Sequence, residues 1–188
     1  VRLAIELANT VRTRRGEVCD ELQTPADLAA WLGRVSFLCA VPVDDEALST
    51  VGPAELAVAR GIRTAIRAIA GAFSASQIPA KVDVESLNVA ARMAPRWQEL
   101  AFADTGEPRL TTRHGAAAIT GALAEVAADA VALVAAGHLG TCAAPGCVLL
   151  FLRDRPNREW CGNSCGNRVR VARHYDRRKH AASDGEAV

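Results

Sequence analysis

Lysine is almost missing from this chain: of its 22 basic residues, 20 are Arg and 2 are Lys. Aromatic residues make up only 4%, with one Tyr, and a single one of them (Tyr175) follows the last cysteine. A protein that reads single strands by stacking bases on rings would have little to work with, which tilts any nucleic-acid reading toward duplex DNA. No HExxH, GxSxG, Walker or Rossmann pattern occurs, so the common zinc-hydrolase, serine-hydrolase and nucleotide-binding chemistries have no foothold, and no enzyme is expected. Long uninterrupted apolar runs are also lacking. The most apolar stretch, Ala116 to Ala136, is mostly alanine and carries Glu125 and Asp129, which marks a soluble helix and no membrane span. No signal peptide is visible in a chain that begins at Val1, and no internal repeat is found.

What is present describes a body and an appendage. Hydrophobic residues are 50% and charged residues 23%, as in ordinary globular domains. The net charge of +1 hides an asymmetry: residues 1–141 hold 13 basic and 16 acidic side chains, whereas residues 142–180 hold 9 and 3. An acidic body with a basic end fits a binding module attached to a larger domain. The preference for Arg and Ala points to a GC-rich bacterial genome.

Four of the six cysteines lie in the basic end, as Cys142-x4-Cys147 and Cys161-x3-Cys165, separated by thirteen residues. Two close pairs joined by a turn-rich spacer suit a tetrahedral Zn²⁺ site, each pair biting from one tight turn. A filled set of four thiolates leaves no place for a water nucleophile, so the metal is structural. Two disulfides or four unrelated thiols are the alternatives, but nothing else looks secreted, and a reducing cytoplasm is the expected compartment. Cys19 and Cys39 read as ordinary thiols, and His138 as no ligand.

From Asn167 to His180 the sequence NRVRVARHYDRRKH has neither Gly nor Pro and predicts a helix. At about 100° per residue, Val171, Ala172 and Tyr175 share one side, expected to pack on the metal knuckle. Arg170, Arg173, His174, Arg177 and His180 take the other side, with Arg168 and Lys179 flanking. Arg168, Arg170, Arg173, Arg177 and Arg178 are therefore the candidate DNA contacts.

These residues carry a resemblance. Cys142-x4-Cys147, Phe151, Trp160-Cys161-x3-Cys165 and the tetrad Cys165-Gly166-Asn167-Arg168 look like the CGNR zinc-finger family, whose members carry an upstream helical ABATE domain and are regarded as candidate bacterial stress-linked transcription regulators. The opening with Asn9-Thr10 and the segment TPADLAAWL are similar to ABATE as well. The resemblance implies zinc on the four cysteines and DNA on the finger. The spacer departs from the family by being about two residues shorter.

The body reads as mainly α. Leu3, Leu7 and Val11 predict an opening helix, followed by a polar stretch from Arg14 to Gln23. Thr24-Pro25-Ala26-Asp27 is a helix start, with Leu28, Trp31, Leu32 and Val35 inward and Pro42 as the stop. Pro53 opens a helix to about Phe73 with Leu56, Ala59, Ile62, Ile66 and Ile69 or Ala70 inward, and with Arg60, Arg63 and Arg67 expected on a solvated face. A further helix runs from about Asp83 to Ala94. Trp97–Phe102 and Arg109–Arg113 around Gly106 form a β-hairpin signature. A long helix follows from Gly115 to Ala136, with Ile119, Leu123, Val126, Ala130, Leu133 and Val134 inward; Gly137 ends it and Gly140 loosens the link.

The expected architecture is a helical domain with one β-hairpin over residues 1–138, a small treble-clef-like zinc finger with four cysteine ligands over 139–182, and a disordered tail over 183–188. The expected function is a zinc-dependent DNA-binding regulator. Its body would dimerise or sense a small effector, with Asn9, Thr10 and Trp31 as candidate effector contacts. A protein-interaction adaptor and a thiol-based redox switch are the rival readings.

Overall fold

The computed structural model describes residues 2–184, and for residue 176 and residues 178–184 the backbone only. Its elements run α1 (Leu3–Ala8), β1 (Val11–Arg14), β2 (Glu17–Asp20), α2 (Pro25–Val35), α3 (Asp45–Ser49), α4 (Pro53–Ser74), α5 (Lys81–Arg92), β3 (Arg96–Phe102), β4 (Pro108–His114), α6 (Ala118–Ala135), β5 (Leu139–Thr141), β6 (Leu150–Leu152) and α7 (Asn163–Asp184). The fold is mainly α, with three two-stranded antiparallel ladders, β1–β2, β3–β4 and β5–β6.

Helices α4 and α6 hold the centre. On α4 the expected inward stripe is buried: Leu56, Ala59, Ile62, Ile66, Ile69 and Ala70. Helix α6 is buried over more of its circumference, because α1, α4 and α5 all pack against it. Its alanines let those helices come close. Among the described residues α6 is the one helix long and apolar enough to cross a membrane. Its carboxylates show the other use: Asp129 accepts from the backbone N–H of Ala4, and Glu125 from those of Ala40 and Val41. Gly137, at φ 68°, ends the helix as expected, with His138 N–H bonded back to Leu133 O.

The expected helix start at Thr24 is a capping box. Thr24 Oγ1 accepts from Asp27 N–H at 3.2 Å, and Asp27 Oδ2 accepts from Thr24 N–H at 2.8 Å. Helix α2 stops at Val35 rather than at Pro42, because Glu125 takes the N–H groups of Ala40 and Val41 and draws the chain away. The β3–β4 hairpin matches its signature, with Gly106 at φ 82°.

Several expectations are corrected. The opening helix ends at Ala8, and Val11 lies in β1, paired with Asp20. The spacing of Leu3, Leu7 and Val11 fits a helix, but VRTR and EVCD pair across the Arg15–Gly16 turn, and tertiary pairing overrides local periodicity. Helix α3 has five residues, too few for a periodic pattern, and is set by Asp44, whose carboxylate accepts from Ala47 N–H. Gly140 does not loosen a link: it sits in β5 opposite Phe151, and a Cβ there would stand 2.9 Å from the Phe151 ring. Of the expected tail, Ser183 and Asp184 still belong to α7, and residues 185–188 lie outside the described residues.

The arginine face of α4 is the largest correction. Arg63 is only 6% exposed; its guanidinium makes a two-pronged ion pair with Asp20, at 2.6 and 2.7 Å, and donates to Thr10 Oγ1. Arg60 donates to the carbonyls of Leu22 and Gln23, and Arg67 to those of Ala8 and Val148. These side chains are not solvated. Arg60 and Arg67 supply donors to backbone oxygens left unpaired by the ladders, and Arg63 supplies them to a side-chain carboxylate and hydroxyl.

Candidate metal centre

The knuckle Cys142–Cys147 is the loop of the β5–β6 ladder, and the second pair stands at the start of α7. Gly146, at φ 71°, turns the knuckle back, and Cys147 N–H bonds to Ala144 O. Cys161 precedes α7 and Cys165 lies in its first turn. The spacer between the pairs is fixed by Arg158, which donates to the carbonyls of Leu152, Trp160 and Cys161 and lies over the Phe151 ring at 5.1 Å. The spacer therefore forms a closed turn held by one guanidinium.

All four sulfurs lie within 4.8 Å of one another. Cys147 Sγ is 3.8 Å from Cys161 Sγ, which is 3.6 Å from Cys165 Sγ. Zn–S bonds of about 2.3 Å in a tetrahedron place sulfurs roughly 3.8 Å apart, whereas a disulfide needs about 2.05 Å. All six cysteines are free thiols. The donor set fits zinc, and the four cysteines form a structural zinc site. His138 is not among the clustered ligands.

The thiols also show why an ion is wanted. Burial, and then the neighbouring sulfurs, push Cys161 far up, and burial chiefly raises Cys147. At Cys142 burial is outweighed by N–H donors from Cys161 and Ala144, and the thiol is held below its ordinary value. Four crowded thiolates repel one another unless a divalent cation stands between them. Outside the site, burial and then Glu125 push Cys39 up to about 11, which makes it an inert thiol.

Each residue of the tetrad Cys165-Gly166-Asn167-Arg168 has its own contact at the knuckle or on α7. Cys165 is a ligand. A Cβ on Gly166 would stand 3.2 Å from the Trp160 ring that lies over it. Asn167 Oδ1 accepts from Arg170, and Arg168 donates to Pro145 O across the knuckle and toward Cys165 Sγ at 3.8 Å.

Helix α7 packs differently from the expectation. Val169, with Cys165, meets Cys142, Ala144 and Phe151 in a small cluster. Val171 and Tyr175 are 54% and 66% exposed, so the predicted Val171/Ala172/Tyr175 face does not cover the knuckle. That pattern begins at residue 167, but the contact is made by the first two turns from Asn163. Beyond Val169 the described side chains of α7 are exposed. Arg168, Arg170, Arg173 and Arg177 are exposed along it. The Arg178 side chain lies outside the described residues.

The three effector candidates part company. Asn9 is turned toward the finger: its amide donates to Leu150 O at 3.0 Å and accepts from Leu150 N–H at 2.8 Å. Thr10 and Trp31, both almost fully buried, line the floor of a cavity of about 330 Å³. Glu6, Arg12, Glu21 and Arg34 stand around it with Phe37 and Leu38, so its rim is charged and its base apolar.

Comparison with known families gives two matches along the chain. ABATE, described as "Putative stress-induced transcription regulator", matches residues 1–137, and the CGNR zinc finger matches residues 138–178. No curated protein matches.

Proposed function

Because this chain belongs to the ABATE family and continues into a CGNR zinc finger, we propose that it is a zinc-dependent regulator that binds duplex DNA through α7. The observation that carries the reading is the placement of Arg170, Arg173 and Arg177. All three are exposed on a helix whose first turn supplies a zinc ligand. Around α7 they fall within about 60° of one another, so one side of the rod is cationic. A helix of about 10–12 Å diameter fits a major groove about 12 Å wide, where arginines reach phosphates and guanine edges. The protein residues do the positioning: Arg168 ties α7 to the knuckle, Trp160 covers Gly166, and the ion locks the two sulfur pairs together. Fixed in this way, the helix does not have to be ordered when it binds.

In this reading the body supplies regulation. The cavity floored by Thr10 and Trp31 receives a small effector. The exposed face of β3–β4, where Leu100 pairs with Leu110 beside Phe102, is covered by a second copy. A ligand-dependent rise in melting temperature and concentration-dependent sedimentation are the measurements for these two roles. A ligand screen without effect removes the first, and a monomer at all concentrations removes the second.

The decisive experiment is a duplex DNA titration across a salt series, comparing the native protein with Arg170→Ala/Arg173→Ala/Arg177→Ala. Three lost phosphate contacts should flatten the slope of log K against log salt by roughly 2.7. An unchanged slope and affinity would remove α7 from the interface.

A further inference from the structure

The β1–β2 hairpin carries three arginines, and they are not equivalent. Arg12 and Arg14 both pair with Glu21, at 3.2 and 2.5 Å. Arg15, at the tip, is exposed and makes no ion pair among the described residues. It is also strained: Arg15 has φ 51°, followed by Gly16 at φ 89°, so both central residues of the turn are left-handed. Such a turn favours Asn or Gly at its first position, and a long side chain held there is strained. Strain of this kind persists only where the surroundings enforce it.

The surroundings are the zinc knuckle. Thr13 Oγ1 donates to Gly146 O at 2.8 Å, and Arg67 bridges Ala8 O to Val148 O. With the Asn9 amide on Leu150, three side chains of the body fasten the hairpin and its root to the finger. The tip is thereby set beside the first turn of α7, and Arg15, Gly16, Gly146, Cys147, Cys165 and Arg168 line one cleft of about 390 Å³. Among the described residues no carboxylate lines it. Of Arg168, only one terminal nitrogen is engaged, on Pro145 O and Cys165 Sγ, leaving its other N–H groups for a ligand.

We propose that Arg15 and Arg168 together form a phosphate seat across the junction of the two regions, so that the body itself grips the DNA backbone. This rests on the reading of α7 as the DNA-binding helix. Around that helix Arg168 stands about 160° from Arg170. A helix lying in the major groove has a sugar-phosphate strand on either flank. The seat therefore meets the strand opposite the one faced by Arg170, Arg173 and Arg177. Contact at the seat is with phosphate, so it adds affinity without adding sequence preference.

The test uses the full zinc-loaded chain and fluorescence anisotropy on two duplexes of unrelated sequence, at salt concentrations from about 50 to 200 mM. Arg15→Gly removes the charge and relieves the positive-φ strain together, so a role in folding and a role in binding predict opposite signs. The expected result is a binding constant about fivefold weaker on both duplexes, a salt slope flatter by about 0.9, and a melting temperature no lower than that of the native protein. Arg15→Lys should recover most of the loss. An unchanged slope for Arg15→Gly, with native binding intact, overturns the seat and leaves the α7 reading standing. A loss confined to one duplex overturns it as well, because phosphate contacts do not discriminate sequence. Absence of binding by the native protein overturns the α7 reading itself.

Discussion

The body and the finger are held by different means. The main core gathers 29 buried residues, including Trp31, Ile66, Leu123 and Val126, whereas the finger's own cluster has five, two of them zinc ligands. Apolar burial at about 25 cal/mol per Å² sustains the first and falls far short for the second. The difference teaches where each half is vulnerable: the body to lost packing and stranded charge, the finger to loss of one ion. The boundary is nevertheless shared. Leu139 and Leu150, on the two strands that carry the knuckle, belong to the main core.

The largest test of this contrast is removal of zinc. Chelation, or Cys165→Ser, should unfold the finger and abolish the proposed DNA binding while the body keeps a cooperative melt. Apparent zinc-binding energies of about 10–16 kcal/mol set the scale. Circular dichroism and hydrogen exchange would locate the loss, and exchange that spread equally through α4 and α6 would erase the contrast.

The body has a weak point of its own in the Asp20–Arg63 pair. Asp20→Asn strands a guanidinium that is nearly fully buried and should cost about 3–5 kcal/mol in a urea titration. The same pair gives a pH dependence. The hydrogen bonds from Arg63, opposed by partial burial and aided by Leu22 N–H, hold the Asp20 carboxyl below its ordinary value. A depressed carboxyl contributes stability that is fully present above the unfolded-state pKa of about 3.9 and is lost as pH falls through the lower folded value. The acid limb of the stability curve should therefore flatten in Asp20→Asn, and an unaltered limb would assign acid sensitivity elsewhere. The smallest effect is expected at Thr24→Ala, where loss of the capping-box hydroxyl should cost about 1 kcal/mol and leave zinc content unchanged.

How much of this is legible in the sequence follows from how local each cause is. The cysteine spacing, the Thr24 start, the Gly106 turn and the inward faces of α4 and α6 are written within a few residues of where they act, and the structure has them where the spacing put them. The arginines of α4 are not legible, because a polar stripe at helical spacing looks the same whether water or a carbonyl faces it. Only the pairing of β1 with β2 brings Asp20 to Arg63, and that pairing is hidden by a helical spacing of Leu3, Leu7 and Val11. On α7 the pattern of Val171, Ala172 and Tyr175 misleads, since the knuckle is too small to cover more than the first two turns. The arginines can be named from sequence, but the partition of Arg168 from Arg170 by the knuckle cannot.

The Asn9 amide has one more effect. Thr141 and Leu150 face each other between hydrogen-bonded rungs, since Cys142 N–H bonds to Leu149 O, so the N–H and C=O of Leu150 point away from β5. They are the open margin of a two-stranded ladder, the kind of surface on which another chain's strand can build. By presenting a donor and an acceptor at peptide spacing, Asn9 acts as a one-residue mock strand and seals that margin. Its loss would turn a quiet border into a template for aggregation.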